Sequence, residues 1–364
     1  MAATRIEPEI AEALAEGMTL PASWYGRDPA IHELELERIF RRSWQYVART
    51  EQVAEPGTFA ASRAGHVPVV IARDQEGELR GFVNVCRHRG HLVAQGEGRR
   101  ASLQCPYHAW TYGLDGCLRA APRSEREPGF DFERYSLLPI SVDAWGPFVF
   151  ANPDPDAAPL AEAFGRLGDY LLDSGIDWDR LRFRERLEYT SSVNWKVGIE
   201  NYLECYHCPV AHPSFSKLID VDPDAYLLRA DGLLMSQFGP LREGGPAKPY
   251  DPTGEVKQAQ YHLLWPNLTI NIEPGPPNLS VDTWMPAGPH DVIGFTDYFF
   301  GEDVPDEKAR EIMAFGAQVG QEDMALVESV QQGLDSGMVP NGRLLPESEQ
   351  LIQHFQRLLY EALA

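Results

Sequence analysis

Basic residues are scarce in this chain of 364 residues: Lys and Arg total 32 against 54 Asp and Glu, for a net charge of −22. A surface of that sign repels polyphosphates, so nucleic acid is not expected as a partner. A local basic patch could still dock an electron-carrying protein. Long apolar runs are missing too, and none approaches the roughly 18 residues that a membrane span needs. The stretch MAATRIEPEIAEALAEGM is acidic and lacks an uninterrupted apolar segment, so no secretory signal is expected and the chain reads as cytoplasmic. Five clustered cysteines are too few for a disulfide scaffold and point instead to metal or redox chemistry. Disorder is excluded, since 43% of the residues are apolar and 10% aromatic. The length predicts two domains with a large buried core.

Residues 5–16 are rich in helix-forming Glu, Ala and Leu, and Ile31 to Trp44 predicts a better helix with an apolar stripe of Ile31, Leu34, Ile39 and Phe40. From Trp44 to Asn152 short β-rich runs (PVVIA, GFVNV, LLPISV, PFVFAN) alternate with turns such as DQEGE and LDG, predicting an antiparallel β module. The stretch 151–159, ANPDPDAAP, has three prolines in nine residues and reads as a linker. Beyond it, 160–172 and 306–334 are helical in pattern, while 182–190, 225–238, 260–273 and 279–300 are strand-like. The expected class is α+β. Its parts are a β domain (44–152), a larger α+β domain (153–364) and an N-terminal helical segment (1–43) packing on the larger domain.

The most informative stretch is Cys86-Arg-His88, then sixteen residues, then Cys105-Pro-Tyr-His108. Two Cys–His pairs on two loops of one β module supply four metal ligands. A structural zinc site is one reading. A two-iron cluster, with two thiolates on one iron and two imidazoles on the other, needs one Cys and one His from each loop and fits the spacing better. Gly90, Gly113 and Gly116 permit the close backbone approach that amide-to-sulfide bonds require. His91 reads as surface or loop wall, and Cys117 as a small buried hydrophobe.

A second constellation runs from Asn201 through Glu204, Cys205, His207 and Cys208 to His212. Five residues on a straight helix leave His207 and His212 about 140° out of line, but Pro209 disfavours helix at Cys208 and could swing His212 round. Glu204 and His207 would be neighbours on one helical face, which also suits a plain surface ion pair. Cys205 and Cys208 form a C-x-x-C that admits a redox or zinc reading, with no second such pair to complete a zinc site. A third ligand is expected from the long C-terminal helix, whose apolar stripe runs Ile312, Phe315, Val319, then Leu326, Val330 and Leu334. Asp323 falls within that stripe, where an ionised carboxylate is costly unless paired with a metal or in a buried salt bridge. Glu322 points off the stripe and reads as solvated. Two histidines and one carboxylate are the facial triad of non-haem ferrous oxygenases.

The pattern C-x-H-x16-C-x-x-H followed by N-W-K…E-N-Y-x-E-C-Y-H-C-P-x-A-H resembles the large subunit of Rieske non-haem iron oxygenases, over roughly residues 20–364. The resemblance implies a Rieske domain joined to a helix-grip (START-like) catalytic domain, a β-sheet wrapped over a long helix. It implies that Cys86, His88, Cys105 and His108 hold the [2Fe-2S] cluster, and that His207, His212 and Asp323 hold a mononuclear Fe(II). Asn201 would support the iron ligands without ligating. Glu204 would bridge a cluster histidine of one subunit to an iron-ligating histidine of the next in a head-to-tail homotrimer. Electrons would come from NAD(P)H through a separate flavin or iron–sulfur reductase. Ring-hydroxylating dioxygenases usually carry Asp at the bridging position. Glu204, the segment Trp265-Pro-Asn-Leu-Thr-Ile-Asn-Ile and the later Glu322-Asp…Glu328-Ser-Val-Gln-Gln-Gly-Leu are similar to enzymes acting on choline, glycine betaine and carnitine.

The expected activity is hydroxylation or oxidative N-demethylation of a small quaternary-amine or N-methyl compound. A quaternary ammonium offers no hydrogen-bond donor and needs aromatic faces, for which Tyr202, Tyr206, Phe238, Trp265, Trp284 and Tyr298 are candidates. The alternative is an aromatic ring-hydroxylating dioxygenase or O-demethylase. An electron-transfer protein using the first constellation alone leaves the second, and its domain of roughly two hundred residues, unexplained.

Overall fold

The computed structural model describes residues 8–246 and 248–364. Its contacts divide the chain into two compact units, Phe40–Leu160 and the segment up to Ile39 together with Ala161–Ala364. The expected limits at 44 and 152 are thus displaced outward. Hydrogen bonds supply the reason: Trp44 Nε1 donates to Ala158 O at 3.0 Å and Asn152 Nδ2 to Arg42 O at 3.2 Å, tying the proline-containing segment to its own unit. The helix expected over Ile31 to Trp44 is shorter than its pattern suggested. After α1 (Pro8–Ala15), α2 (Pro29–Glu35) starts at Asp28, whose carboxylate caps Ala30 N at 3.0 Å, and a wide helical turn ends at Phe40.

The first unit holds ten antiparallel strands: β1 (Gln45–Arg49), β2 (Thr58–Ala64), β3 (Val67–Arg73), β4 (Leu79–Val83), β5 (Glu97–Arg99), β6 (Ser102–Gln104), β7 (Thr111–Gly113), β8 (Leu118–Ala120), β9 (Ser141–Trp145) and β10 (Phe148–Asn152). They form three small sheets, ordered β1-β10-β9, β4-β3-β2-β5 and β6-β7-β8. Phe59, Val70, Phe82, Leu103 and Tyr112 pack into one core, and Cys86 and Cys105 belong to it.

The second unit contains the short helices α3 (Leu160–Phe164) and α4 (Leu167–Asp173), which begin at its boundary. The strand β11 (Leu181–Ser191) follows. Next come α5 (Trp195–Tyr202), α6 (Cys208–Ala211) and α7 (Phe215–Leu218). The remaining strands are β12 (Leu227–Asp231), β13 (Leu234–Pro240), β14 (Gln258–Leu264), β15 (Leu268–Ile272), β16 (Asn278–Thr283), β17 (Met285–Gly288) and β18 (Asp291–Gly301). Two helices, α8 (Asp306–Asp335) and α9 (Gln350–Leu363), complete it. The sheet order is β11-β18-β16-β15-β14-β13-β12, with β17 paired to β18 and every pair antiparallel. One face of this sheet and the 30-residue α8 enclose a cavity of about 530 Å³.

The stripe expected on α8 holds through Asp323 and then departs from the pattern. Val330 is 51% exposed, and the buried side chains of that half are Val327 and Gln331. Four-residue steps from Asp323 lead to these two positions. Gln331 is buried although polar because its amide is fully used: Oε1 accepts Asn194 N at 2.8 Å and Nε2 donates to Tyr25 O at 2.9 Å.

Helix α5 is held from below by polar contacts. Asn194 caps it through Lys196 N at 3.1 Å. The Lys196 ammonium meets Glu35 Oε1 at 2.5 Å with both side chains sealed from solvent, and Trp195 Nε1 donates to Glu35 Oε2 at 2.9 Å. Near the helix's other end, Tyr25 OH and Gln356 Nε2 donate to Glu200 Oε1 at 2.6 and 2.9 Å. Above, α5 runs so close to the indole of Trp284, in the link between β16 and β17, that a Cβ on Gly198 would lie 2.2 Å from its ring. Removing one partner of a buried ion pair strands the other charge. Lys196→Met should therefore destabilise the unit by about 3–5 kcal/mol, read from urea unfolding, and Glu35→Gln added to it should recover part of the loss.

Candidate metal centres

In the first unit the loops Cys86–His91 and Cys105–Trp110 are built alike. Cys86 N donates to His91 O and Cys105 N to Trp110 O, each at 2.8 Å; Gly90 N then donates to Cys86 O and Ala109 N to Cys105 O, each at 3.0 Å. Both closures need a left-handed residue, met by Gly90 at φ +76° and Ala109 at φ +58°. The repeated geometry brings the rings of His88 and His108 to 4.5 Å, with Trp110 stacked on His88. Both thiols are buried and both imidazoles face outward. Cys86 Sγ is 3.3 Å from Tyr112 OH. Burial, followed by the neighbouring His108, lowers the pKa of His88, which keeps the ring in the neutral form a metal needs. The donor set of two inward sulfurs and two outward nitrogens suits a two-iron cluster with mixed ligation. His91 is exposed. Cys117, expected as a buried hydrophobe, is exposed as well, because it follows the tight turn where Asp115 accepts its backbone N–H at 3.1 Å.

In the second unit α5 ends at Tyr202, and the chain runs irregularly to His207 before α6 begins. Glu204 and His207 meet here through a loop, not on a helical face. The Glu204 carboxylate folds back to accept the backbone N–H of Tyr206 and of His207, and it pairs with His207 Nδ1. Pro209 does not break a helix; it sits in the first turn of α6, where its missing N–H costs nothing, and Cys208 is helical. The redirection comes at His212, which closes α6 with a non-helical backbone. Cys205 and Cys208 are joined as a disulfide that spans this turn.

His207 Nε2 and His212 Nε2 lie 3.1 Å apart, and Asp323 Oδ1 lies 2.9 Å from the second and 3.4 Å from the first. Among the described residues this is the one group of three that could hold a metal ion. Each Nδ1 faces an acceptor-only carboxylate: Glu204 for His207, and Glu322 Oε2 at 2.7 Å for His212. Each Nδ1 is therefore the donor, and each Nε2 presents a lone pair. Three acceptor atoms aimed at one point demand a cation. Ligands about 2.1 Å from one ion and at right angles stand about 3 Å apart, which matches the nitrogen spacing. Glu322, expected in solvent, is drawn in by this contact and by Gln318 Nε2 at 2.9 Å. Asn201 Nδ2 donates to Asp323 Oδ1 at 2.7 Å, a supporting position beside the triad.

The electrostatics agree. With no ion bound a proton can stand at the imidazole Nε2 in its place. Burial alone would raise the Asp323 pKa, but the contacts with His207 and His212, with the hydrogen bond from Asn201, outweigh it and bring the carboxyl down to about 2. Burial alone would lower His207, yet Asp323 and Glu204 push it up to about 9. The same negative field favours a divalent ion at the nitrogens.

Residues 43–137 match the Rieske [2Fe-2S] domain family, and 178–364 match the ring-hydroxylating alpha subunit catalytic domain. The chain belongs to the ring-hydroxylating Rieske oxygenases. The carnitine monooxygenase oxygenase subunit of Escherichia coli (strain K12) is 33% identical over 358 residues, covering 94% of this chain and 93% of that one. Choline monooxygenase, chloroplastic, of Beta vulgaris is 33% identical over 371 residues, covering 98% and 79%. The crystal structure of the quaternary ammonium Rieske monooxygenase CntA in complex with L-carnitine superposes with a TM-score of 0.84 at 29% identity, over 99% and 100% of the two chains. Naphthalene 1,2-dioxygenase from Rhodococcus sp., at 21% identity and a TM-score of 0.80, shares the fold. The oxygenase therefore combines a Rieske [2Fe-2S] domain with a mononuclear-iron catalytic domain, in a family that draws its electrons from a reductase. Among the described residues no helix is long and apolar enough to cross a membrane.

The cavity opens onto the triad. Of the six expected aromatics, Tyr202, Trp284 and Tyr298 line it. Tyr206 is 63% exposed, Phe238 packs on Tyr170 and His262, and Trp265 packs on Phe355. Sequence reasoning missed Tyr250 and Tyr261, which also line it, and the inward polar face of Thr269, Asn271, Glu273, Ser280 and Asp282. Their period-two spacing was a signal, but alternation alone does not say which face is wet.

Asp323→Ala should remove mononuclear iron and leave the cluster absorbance intact, checked by iron analysis and visible spectra. Glu322→Gln should weaken iron binding by about 10–100-fold, as loss of a carboxylate behind a ligating imidazole does.

Proposed function

We propose that the oxygenase hydroxylates a carbon next to the nitrogen of a small quaternary-amine or N-methyl compound. The observation that carries this reading is the aromatic-lined, carboxylate-bearing cavity opening onto His207, His212 and Asp323. Aromatic faces attract a cation that can offer no hydrogen bond. In this reading Cys86, His88, Cys105 and His108 hold the [2Fe-2S] cluster, and His207, His212 and Asp323 hold the iron. When bound, the cluster relays single electrons and the iron activates dioxygen. Glu204 and Glu322 fix the two imidazoles, and Asn201 fixes the third ligand. The net reaction consumes dioxygen, two electrons and two protons per C–H bond hydroxylated and releases water. An N-methyl group so oxidised leaves as formaldehyde. We further infer a cytoplasmic head-to-tail homotrimer, reduced from NAD(P)H by a separate reductase, in which Glu204 bridges the centres of adjacent subunits. Its contact with His207 Nδ1 supports that role.

With dioxygen and a generic Rieske reductase, the expected products from choline-, betaine- and carnitine-type compounds are aldehydes or formaldehyde. A cis-diol formed from an arene would establish ring dioxygenation in their place. Glu204→Gln should keep both metal centres loaded and the cluster reducible while turnover falls by orders of magnitude. An exposed ion pair, worth about 0–1 kcal/mol, would leave turnover nearly intact. The check is single-turnover oxidation of the prereduced cluster with substrate and dioxygen; normal reoxidation coupled to product would remove Glu204 from the electron path.

A further inference from the structure

The cavity wall opposite α8 carries charge of one sign. Among the described residues its lining includes Glu273 and Asp282 but no Lys or Arg. Asp282 accepts from Asn271 Nδ2 at 2.7 Å, from Thr269 Oγ1 at 3.2 Å and from the Thr296 hydroxyl. Glu273 accepts from Tyr261 OH at 3.1 Å. All of these donors are neutral. Arg186, on the adjoining strand β11, is committed to Asp297 by two contacts of 2.6 Å. Both carboxylates retain partial exposure although they lie deep in the fold, because they face the cavity. The four donors orient them without neutralising them, and a buried carboxylate without a counter-cation is costly.

We propose that this cavity selects a small amine cation that carries no carboxylate, with Asp282 and Glu273 setting that preference. The inference rests on the amine-oxidation reading above and narrows it. A cationic head brought among Tyr298, Trp284 and the two carboxylates gains both aromatic faces and ionic partners. A zwitterion brings the same head together with an anion that finds like charge on this wall and no Lys or Arg among the described lining residues to meet it. Burial pushes Glu273 up to about 7 and raises Asp282 as well, so a bound cation is what makes the ionised pair favourable.

The test is calorimetric titration of the iron- and cluster-loaded enzyme, kept anaerobic, with choline, carnitine, γ-butyrobetaine and the neutral choline analogue bearing a tert-butyl group in place of trimethylammonium. Choline should bind at least about tenfold more tightly than each of the other three. Asp282→Asn, which keeps the shape, should weaken choline about tenfold and narrow its lead over carnitine. Glu273→Gln repeats the measurement if the first variant fails to fold. Carnitine or γ-butyrobetaine binding the unaltered enzyme as tightly as choline overturns the selectivity and leaves amine oxidation standing. A neutral analogue that binds as well as choline overturns the role of charge. Discrimination unchanged in a variant with both metal centres intact overturns the assignment to that residue. Binding of none of the three quaternary amines removes the amine reading itself.

Discussion

Two imidazole lone pairs held 3.1 Å apart and facing each other are the constraint from which the catalytic unit follows. Left alone they repel, and a third acceptor, Asp323 Oδ1, makes the arrangement worse. It persists because each ring is locked from behind by a carboxylate, Glu204 in the loop after α5 and Glu322 on α8. The site is thus a point of concentrated acceptor character, and a divalent cation resolves it. Adjacent residues of α8 stand differently: Glu322 holds the back of the His212 ring, and Asp323 faces the same point as both Nε2 atoms.

Such an arrangement requires a rigid support, and its rigidity is polar. The helix leading into the site is clamped at its base by Lys196, Glu35 and Trp195 and near its far end by Glu200, Tyr25 and Gln356. Buried polar contacts of this kind cost much when half-made and little when complete, so they tolerate few alternative positions of the helix. Apolar packing alone would allow it to slide. A displacement of the helix would carry Asn201 and Glu204 with it and disturb both the third ligand and the first imidazole.

The residues the structure brings together at both centres were legible because metal ligation would demand particular atoms at particular spacings, and the Cys–His pairs and the two histidines state that demand locally. Asp323 was legible from its place on an otherwise apolar stripe. Glu322 was not, since its partner is His212, 110 positions earlier in the chain. The later register of α8 was misread at Val330 because Gln331, polar yet buried, obeys hydrogen bonding and not hydrophobicity. The acidic wall was hidden for a similar reason: polar residues at every second position of a strand read as a wet face, and here that face encloses a cavity. The aromatics divided because a ring at a core position and a ring at a cavity wall have the same sequence signature.

The contact of α5 with Trp284 at Gly198 has a consequence for how such an enzyme can diversify. Where a helix meets the face of an indole at a distance only hydrogen tolerates, no side chain can be added to the helix at that point while Trp284 is kept. The helical wall that leads into His207 and His212 is therefore fixed for as long as the indole stays. The opposite wall, built from alternate residues of β14, β15, β16 and β18, can change one side chain at a time without moving a ligand. A lineage of such oxygenases can acquire new substrates by rewriting the strands while the redox machinery stays as it was.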